Sequence, residues 1–389
     1  MIADIIKSIY LFLFRISFMW MNRKPLQNKV VLFVTFPQNS YYLTEELKKR
    51  DPSMQIVLVC NESSYPKMAE LQSEQVQLLE LHRLKLYFTR IYHLATAKII
   101  IIDNYFPFLA VTNFKKEVRC VQIWHAAGAI KSFGLEANNT TTRTAISKRR
   151  FHRVYHRFDK IVVGSEEMAD IFTRAFGVPS SSFLRTGIPR TDLFFDEHKK
   201  QELRDKFYRN YPHAKGKRVV LYAPTFRDTA SHHMPLDFER LTRVLGPEVL
   251  VLVKLHPVTK QNLAFPSEVS DQLIQIDADE DVNEWLVVTD LLVTDYSSIP
   301  FEFCLLKKPM VFYAYDLEEY IAERGIWENY EEFVPGPVVF TQEQLEEAIV
   351  APDFDVDNQK VLAFCDTWNK YSQGKSSEQL IDYVIKKVT

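Results

Sequence analysis

Short, almost uninterrupted apolar runs alternate along this chain with longer stretches of helical spacing. The first series is VVLFVTF (30–36), QIVLVC (55–60), VQLLEL (76–81), KIIII (98–102), VRCVQIW (118–124) and KIVVG (160–164). A second follows: RVVLYAPT (218–225), EVLVLVKL (248–255), QLIQI (272–276), DLLVTD (290–295) and PMVFYA (309–314). Consecutive rather than alternating apolar positions mark strands buried on both faces of a parallel sheet. The intervals leave room for crossover helices, so each series predicts a doubly wound α/β domain. Between the series, 192–217 is polar and charged and reads as a linker carrying one helix. The predicted organisation is 1–25, an amphipathic helix; 26–195 and 196–365, two Rossmann-like domains; and 366–389, helical, packing back on the first domain.

The opening MIADIIKSIYLFLFRISFMWMNRKPL is apolar but broken by Asp4, Lys7 and Arg15. No uncharged run in it reaches the roughly 18 residues of a spanning helix. On a helical wheel Asp4, Lys7, Ser8, Arg15 and Asn22 share one sector, into which Leu11 and Phe18 intrude. Trp20, Arg23 and Lys24 suit an interfacial anchor. The pattern predicts a helix lying in a membrane surface, with a helix packed on the protein's own core as the alternative. A signal peptide fits poorly, because no small-residue cleavage motif precedes the first strand.

Composition narrows the chemistry. With 389 residues there is material for two cores. A formal charge of −2 gives no global signal for nucleic acid. Ten glycines and no GxGxxG or Walker A pattern argue against the usual dinucleotide and P-loop readings. The four cysteines (Cys60, Cys120, Cys304, Cys365) form no CxxC pair, which suits buried free thiols better than disulfides or zinc.

Ligands of doubly wound sheets bind at the carboxyl ends of strands. Three predicted ends carry chemistry. Trp124-His125-Ala126-Ala127-Gly128 sets a histidine among small residues, where a neutral imidazole can take a proton from a hydroxyl. Lys254-Leu255-His256-Pro257 sets a second histidine at the corresponding end in the other domain, so both would face one cleft. Thr294-Asp295-Tyr296-Ser297-Ser298 is a strand, a turn and a helix opening. Asp295 or Ser297 can cap that helix, and the serines with the exposed N–H groups predict a phosphate seat without glycines. Thr225 and Arg227, after RVVLYAP, and Arg190, in GIPRTD, are further phosphate candidates. Between 143 and 160 lie Arg143, Lys148, Arg149, Arg150, Arg153, Arg157 and Lys160, with His152 and His156, against Asp159 alone. Beside a greasy N-terminus this basic patch predicts contact with anionic headgroups or a lipid pyrophosphate. A solvated helix face is the alternative, and no RNA-module signature is present.

In order, IWHAAGAIKSFG, TGIPRTDLF, LYAPTFRD, KLHP and DVNEWLVVTDLLVTDYSSIPFEFCLLKKPMVFYAYDLEEY, then GIWENYEEFVPGP, resemble the CDP-glycerol glycerophosphotransferase family of teichoic acid synthesis. The resemblance runs from about residue 118 to 320 and beyond. The WHAAGA form is closer to members that add the first glycerol phosphate than to polymerases, whose form is WHGTP. The resemblance implies a GT-B-type fold, with an acceptor domain and a CDP-glycerol domain. It implies attack of an acceptor hydroxyl on the β-phosphorus of CDP-glycerol with release of CMP. His125 would be the general base and His256 would stabilise the moving phosphate. Thr225, Arg227, Asp295, Ser297, Ser298 and Arg190 would serve the donor. The implied acceptor is an undecaprenyl-pyrophosphate disaccharide ending in N-acetylmannosamine, met at the cytoplasmic membrane face, with other teichoic acid enzymes as potential partners. No cofactor is firmly implied; no carboxylate cluster has metal-ligand spacing, and a divalent cation held by substrate phosphates stays open. The alternatives are a chain-extending glycerol- or ribitol-phosphate transferase, a sugar-nucleotide glycosyltransferase of the same fold, and a non-catalytic membrane-surface binding protein.

Overall fold

The computed structural model describes residues 2–137, 140, 143–227, 235–255, 271–351 and 359–386, with side chains from Asp4 onward. The chain divides into two compact units. The first comprises Met1–Ala127, Phe133–Asp192 and Lys370–Thr389, the second Gly128–Ser132 and Leu193–Asn369.

The first unit holds a parallel sheet of β1 (Gln27–Val34), β2 (Gln55–Cys60), β3 (Val76–Glu80), β4 (Ala97–Ile102), β5 (Arg119–Gln122), β6 (Lys160–Val162) and β7 (Phe183–Leu184). Their spatial order is β3-β2-β1-β4-β5-β6-β7. The winding reverses between β1 and β4, which sets a crevice at the carboxyl ends of those strands. Val30–Val34 and Ile99–Ile102 are buried without exception, as continuous β-branched and apolar runs require of a two-faced sheet. Helices α1 (Ile2–Met21), α2 (Pro37–Arg50), α3 (Tyr65–Ala69), α4 (Tyr87–Thr96), α5 (Ala145–Tyr155) and α6 (Glu166–Phe176) surround it.

Helix α1 uses its two faces differently. Leu11, Phe14, Phe18 and Met21 are buried, with Phe14 stacked on Phe108 at 5.2 Å and Phe18 edge-on to Phe114 at 5.6 Å. Ile5, Ile6, Ile9, Phe12, Leu13, Ile16, Met19 and Trp20 are exposed. The core-packing alternative therefore accounts for one face and leaves the other greasy and open. No helix among the described residues is long and apolar enough to cross a membrane.

The C-terminal helix Ser376–Lys386 packs on α2, where Arg50 meets Glu378 at 2.8 Å and Asp382 at 3.0 Å. Asp192 accepts the backbone N–H of Ser376 and of Ser377, both at 2.8 Å, and so caps that helix. Gly187, with φ +79°, lies under the same segment. A Cβ there would come within 2.4 Å of Ser376 Oγ and 2.5 Å of the Tyr371 carbonyl, so the TGIPR loop needs glycine at this point.

The second unit repeats the plan with β8 (Arg218–Ala223), β9 (Val249–Val253), β10 (Leu273–Gln275), β11 (Leu291–Thr294), β12 (Met310–Tyr313) and β13 (Val338–Val339). The order is β10-β9-β8-β11-β12-β13, again all parallel, with the reversal between β8 and β11. The predicted linker helix forms as Glu197–Asn210 and belongs to this unit. The predicted 366–389 segment divides instead. Helix Gln359–Trp368 stays with the second unit, where Phe364 and Trp368 pack on Phe301, and only Lys370–Thr389 returns to the first.

Candidate active site

In the first unit the site grows from three adjacent strand ends. Asp103, following β4, is fully buried and accepts Thr35 N at 2.6 Å, Thr35 Oγ1 at 2.8 Å and Phe36 N at 2.7 Å, which fixes the turn after β1. Burial pushes its carboxyl up to about 7 against those three donors. Its backbone carbonyl lies 3.0 Å from His125 Nδ1. A carbonyl can only accept, so Nδ1 carries the hydrogen and Nε2 keeps a lone pair. Nε2 has no hydrogen-bond partner among the described residues.

Two rings hold that imidazole face-on: Phe36 at 4.5 Å and Trp124 at 4.2 Å. Burial lowers the His125 pKa to about 4, helped by the Arg190 charge and opposed by the Asp103 carbonyl. The ring is therefore a neutral acceptor at physiological pH. Trp124 has φ +55°, a left-handed conformation that costs a bulky residue about 1–3 kcal/mol. Its neighbours compensate. Trp124 N donates to Gln122 Oε1 at 2.9 Å, Asn39 Nδ2 donates to the Trp124 carbonyl at 3.0 Å, and the indole packs among Phe133, Phe172 and Phe176. Strain of this kind sits where the surroundings dictate the backbone, here to aim the next side chain.

Arg190 does not wait for a phosphate. It is 7% exposed, its N and Nε donate to Asn39 Oδ1 at 3.0 and 3.3 Å, and its Nη2 donates to the His125 carbonyl. We reassign it to holding the His125 loop. Three of the basic residues are likewise committed within the unit. Arg143 donates to the Gly134 carbonyl at 2.6 Å. Arg150 is buried against Ser147 Oγ at 3.1 Å and faces Asp4 at 3.7 Å. Arg157 donates to Asn113 Oδ1 at 2.6 Å. Lys148, Arg149 and Arg153 are exposed on α5.

The second unit has a counterpart of the Thr35–Asp103 link. Asp295, following β11, is 2% exposed and accepts Thr225 N, following β8, at 2.8 Å. Arg227 closes the site floor: Nη2 meets Asp295 Oδ2 at 2.9 Å, Nε meets Asp316 Oδ2 at 2.6 Å, and Nη1 donates to the Thr225 carbonyl at 2.7 Å. Tyr296 Oη donates to Asp316 Oδ1 at 3.0 Å, and the guanidinium lies 5.0 Å from the Tyr296 ring and 4.9 Å from the Tyr320 ring. All of its nitrogens being engaged, Arg227 joins three loops rather than offering itself to a phosphate, a second reassignment.

What stays open in the second unit is hydroxyl. Thr225 Oγ1 is buried with no hydrogen-bond partner among the described residues. Thr294 Oγ1 donates to the Ala223 carbonyl at 2.7 Å, so Ser297 Oγ, 2.9 Å away, must donate to Thr294. Ser298 stands at the N-cap of helix Ile299–Phe303 without a side-chain cap bond; of the two expected caps, Ser297 Oγ accepts Ile299 N at 3.4 Å and Asp295 caps no helix among the described residues. Thr225 and Ser298 thus remain the hydroxyl candidates for a phosphate, whereas Ser297, its hydrogen given to Thr294, can meet an anion only through its backbone N–H. Among the described residues no three His, Cys, Asp or Glu side chains converge as metal ligands. His256 lies outside the described residues, although the preceding Lys254 is placed, with Nζ donating to the Ala278 carbonyl at 2.8 Å.

Sequence reasoning passed over Asp103, Asn39 and Asp316. Asp103 had a signal: IIIID ends a strand run on aspartate just as LLVTD does.

Comparison with known proteins agrees in fold and family. The wall teichoic acid polymerase TagF superposes with a TM-score of 0.80 over 98% of this chain and 96% of that one, at 24% identity, which speaks to fold. The teichoic acid glycerol-phosphate primase of Bacillus subtilis (strain 168) is 35% identical over 98% of both chains. The teichoic acid poly(ribitol-phosphate) polymerase of Bacillus spizizenii is 38% identical over 76% of this chain and 47% of its own. Residues 16–386 match the family described as CDP-glycerol:poly(glycerophosphate) glycerophosphotransferase. Its two parallel α/β units, its strand-end chemistry and this match over most of its length make the chain a member of that family, a glycerophosphotransferase acting in teichoic acid synthesis.

Proposed function

We propose that this chain adds the first glycerol phosphate to a lipid-linked acceptor, the N-acetylmannosamine of an undecaprenyl-pyrophosphate disaccharide. The observation that carries the chemistry is His125, a neutral imidazole with Nδ1–H fixed and Nε2 free. The acceptor hydroxyl gives its proton to Nε2 while its oxygen forms a bond to the glycerol-bearing phosphorus of CDP-glycerol. The bond from that phosphorus to the bridging oxygen breaks, and its electron pair leaves with CMP. Phosphoryl transfer asks mainly for placement and charge stabilisation, which Thr225, Ser298, the backbone of the Ser297-Ser298 turn and His256 would supply. The primase step rather than extension is supported by the primase relative of Bacillus subtilis (strain 168), 35% identical over 98% of this chain, against 28% over 95% for the teichoic acid poly(glycerol phosphate) polymerase of the same strain. Mass analysis of the product from the disaccharide acceptor should find a single added glycerol phosphate. A ladder of many units would assign the chain to the extending enzymes instead.

The same proposal places the first unit on the cytoplasmic membrane surface. The open face of α1 is apolar, as are exposed Leu84, in the turn before α4, and Phe88, in the first turn of α4, which α1 packs against. At the other end of α1, Asp4 accepts Thr144 Oγ1 at 3.2 Å and faces Arg150, so the exposed Lys148, Arg149 and Arg153 lie on a helix tied to the same edge. Such residues contribute about 1 kcal/mol each at an anionic surface. Replacing these three by Gln should weaken binding to phosphatidylglycerol vesicles by about 100-fold. Phe12→Glu with Ile16→Glu should weaken binding to anionic and neutral vesicles alike. Unchanged sedimentation in both variants would remove the membrane from the account.

A further inference from the structure

The C-terminal unit contains a basic side chain that nothing above employs. The strip Gly128–Ser132 belongs to this unit and is pinned along its length. A Cβ on Gly128 would sit 2.4 Å from the Phe301 ring, so the strip lies directly on the helix that follows Ser298. Trp327 N donates to the Ile130 carbonyl at 3.2 Å, Lys131 bridges Ile326, and Ser132 N donates to the Gly325 carbonyl at 3.3 Å. Lys131 Nζ is thereby held 5.4 Å from the centre of the Tyr320 ring, which stacks at 3.9 Å on Tyr296, the neighbour of Ser297.

Lys131 has no carboxylate partner among the described residues. The charges that face it are Asp295 at the end of β11, Arg227 in the loop after β8, and Arg324, which shares helix Leu317–Arg324 with Tyr320. Asp295 is already committed to Arg227 and to Thr225 N, and Arg227 to Asp295 and Asp316. The half-buried ammonium of Lys131 thus makes no ion pair among the described residues, is linked to the Ser297-Ser298 turn through the Tyr320–Tyr296 stack, and interacts electrostatically with Asp295, the acceptor of Thr225 N. A half-buried ammonium with no ion pair of its own gains from an anion that arrives to pair with it.

We propose that Lys131 binds the diphosphate of CDP-glycerol directly, placing its ammonium on a phosphate oxygen and so stabilising the charge that gathers on CMP as it leaves. The inference rests on the donor reading above. It gives Lys131 the phosphate-charge role that Arg227, being occupied, does not fill.

The site makes the binding pH-dependent. Burial lowers the Lys131 pKa to about 8, with Arg324 and Arg227 adding to the effect and Asp295 opposing it. A group with a depressed basic pKa is charged below that value and neutral above it, so the free protein loses this cation as pH rises through about 8. A bound diphosphate favours the charged form, and the diphosphate itself has no proton to lose in that range. Affinity for CDP-glycerol should be full at pH 7 and decline above pH 8, while affinity for cytidine stays flat.

The test is titration calorimetry of CDP-glycerol and of cytidine from pH 6.5 to 9.5 on the full chain, with folding checked by thermal unfolding. A hydrogen bond to a charged group contributes enough that Lys131→Met should weaken CDP-glycerol binding about 10- to 100-fold at pH 7 and abolish the alkaline decline. Lys131→Arg, charged throughout, should restore most of the affinity and bind equally at pH 7 and 9. Wild-type affinity in Lys131→Met, or an alkaline decline that persists in it, overturns the assignment to Lys131 and leaves the donor reading standing. A wild-type protein that binds no CDP-glycerol at pH 7 overturns the donor reading and this inference together.

Discussion

Replacing His125 by Ala should lower turnover of CDP-glycerol by about 10²- to 10⁴-fold, the range expected for loss of a positioned general base. Donor binding should change little, because the proposed phosphate ligands (Thr225, Ser297, Ser298) belong to the other unit and none depends on the imidazole. The size of the effect follows from how completely the fold prepares this ring. The Asp103 carbonyl chooses the tautomer, Phe36 and Trp124 fix the plane, and the strained Trp124 backbone sets the direction. Steady-state rates and donor affinity measured on one preparation distinguish the outcomes. Unaltered turnover in His125→Ala would mean that another group takes the proton. Weakened donor binding at unchanged turnover would make His125 a ligand instead.

The second large effect is on stability. Arg227→Ala should destabilise the C-terminal unit by about 3–5 kcal/mol, because it strands Asp295 and Asp316 away from water. For a unit of this size that corresponds to a fall of roughly 6–20 °C in its unfolding temperature. Arg227→Lys should recover only part, since one ammonium cannot reproduce the fork that meets Asp316 through Nε and Nη2 and Asp295 through Nη2. Adding Asp316→Asn to Arg227→Ala removes one stranded charge and should regain stability. If the double variant is less stable than Arg227→Ala alone, the ion pair is not what Arg227 contributes. Thermal unfolding followed by circular dichroism measures all three.

The strands were legible because burial on both faces writes continuous apolar runs. All eleven expected runs form strands, and the two without a matching expectation, Phe183–Leu184 and Val338–Val339, are two-residue edges too short to show a pattern. The strand-end rule also located His125, Thr225 and Asp295 correctly in the fold. It failed to say which polar groups are free. Arg227 looks the same in sequence whether it meets a phosphate or a carboxylate, and its partner Asp316 is 89 positions away. Arg190 finds Asn39 at a separation of 151. Asn39 itself reads as an ordinary helix residue; only the fold brings it under the Trp124 carbonyl. Lys131 shows the converse, a lysine distinguished by having no ion pair among the described residues, which no local pattern records.

The most direct test of the central claim is CMP release from CDP-glycerol as a function of pH, with and without the lipid-linked disaccharide acceptor. Because the His125 pKa is lowered to about 4, the imidazole stays neutral down through the ordinary histidine range. The account predicts release that requires the acceptor and holds its rate from pH 7 to below 6, falling only on approach to about 4. Release that proceeds equally without acceptor, or that falls away near the usual histidine pKa of about 6.5, would contradict it.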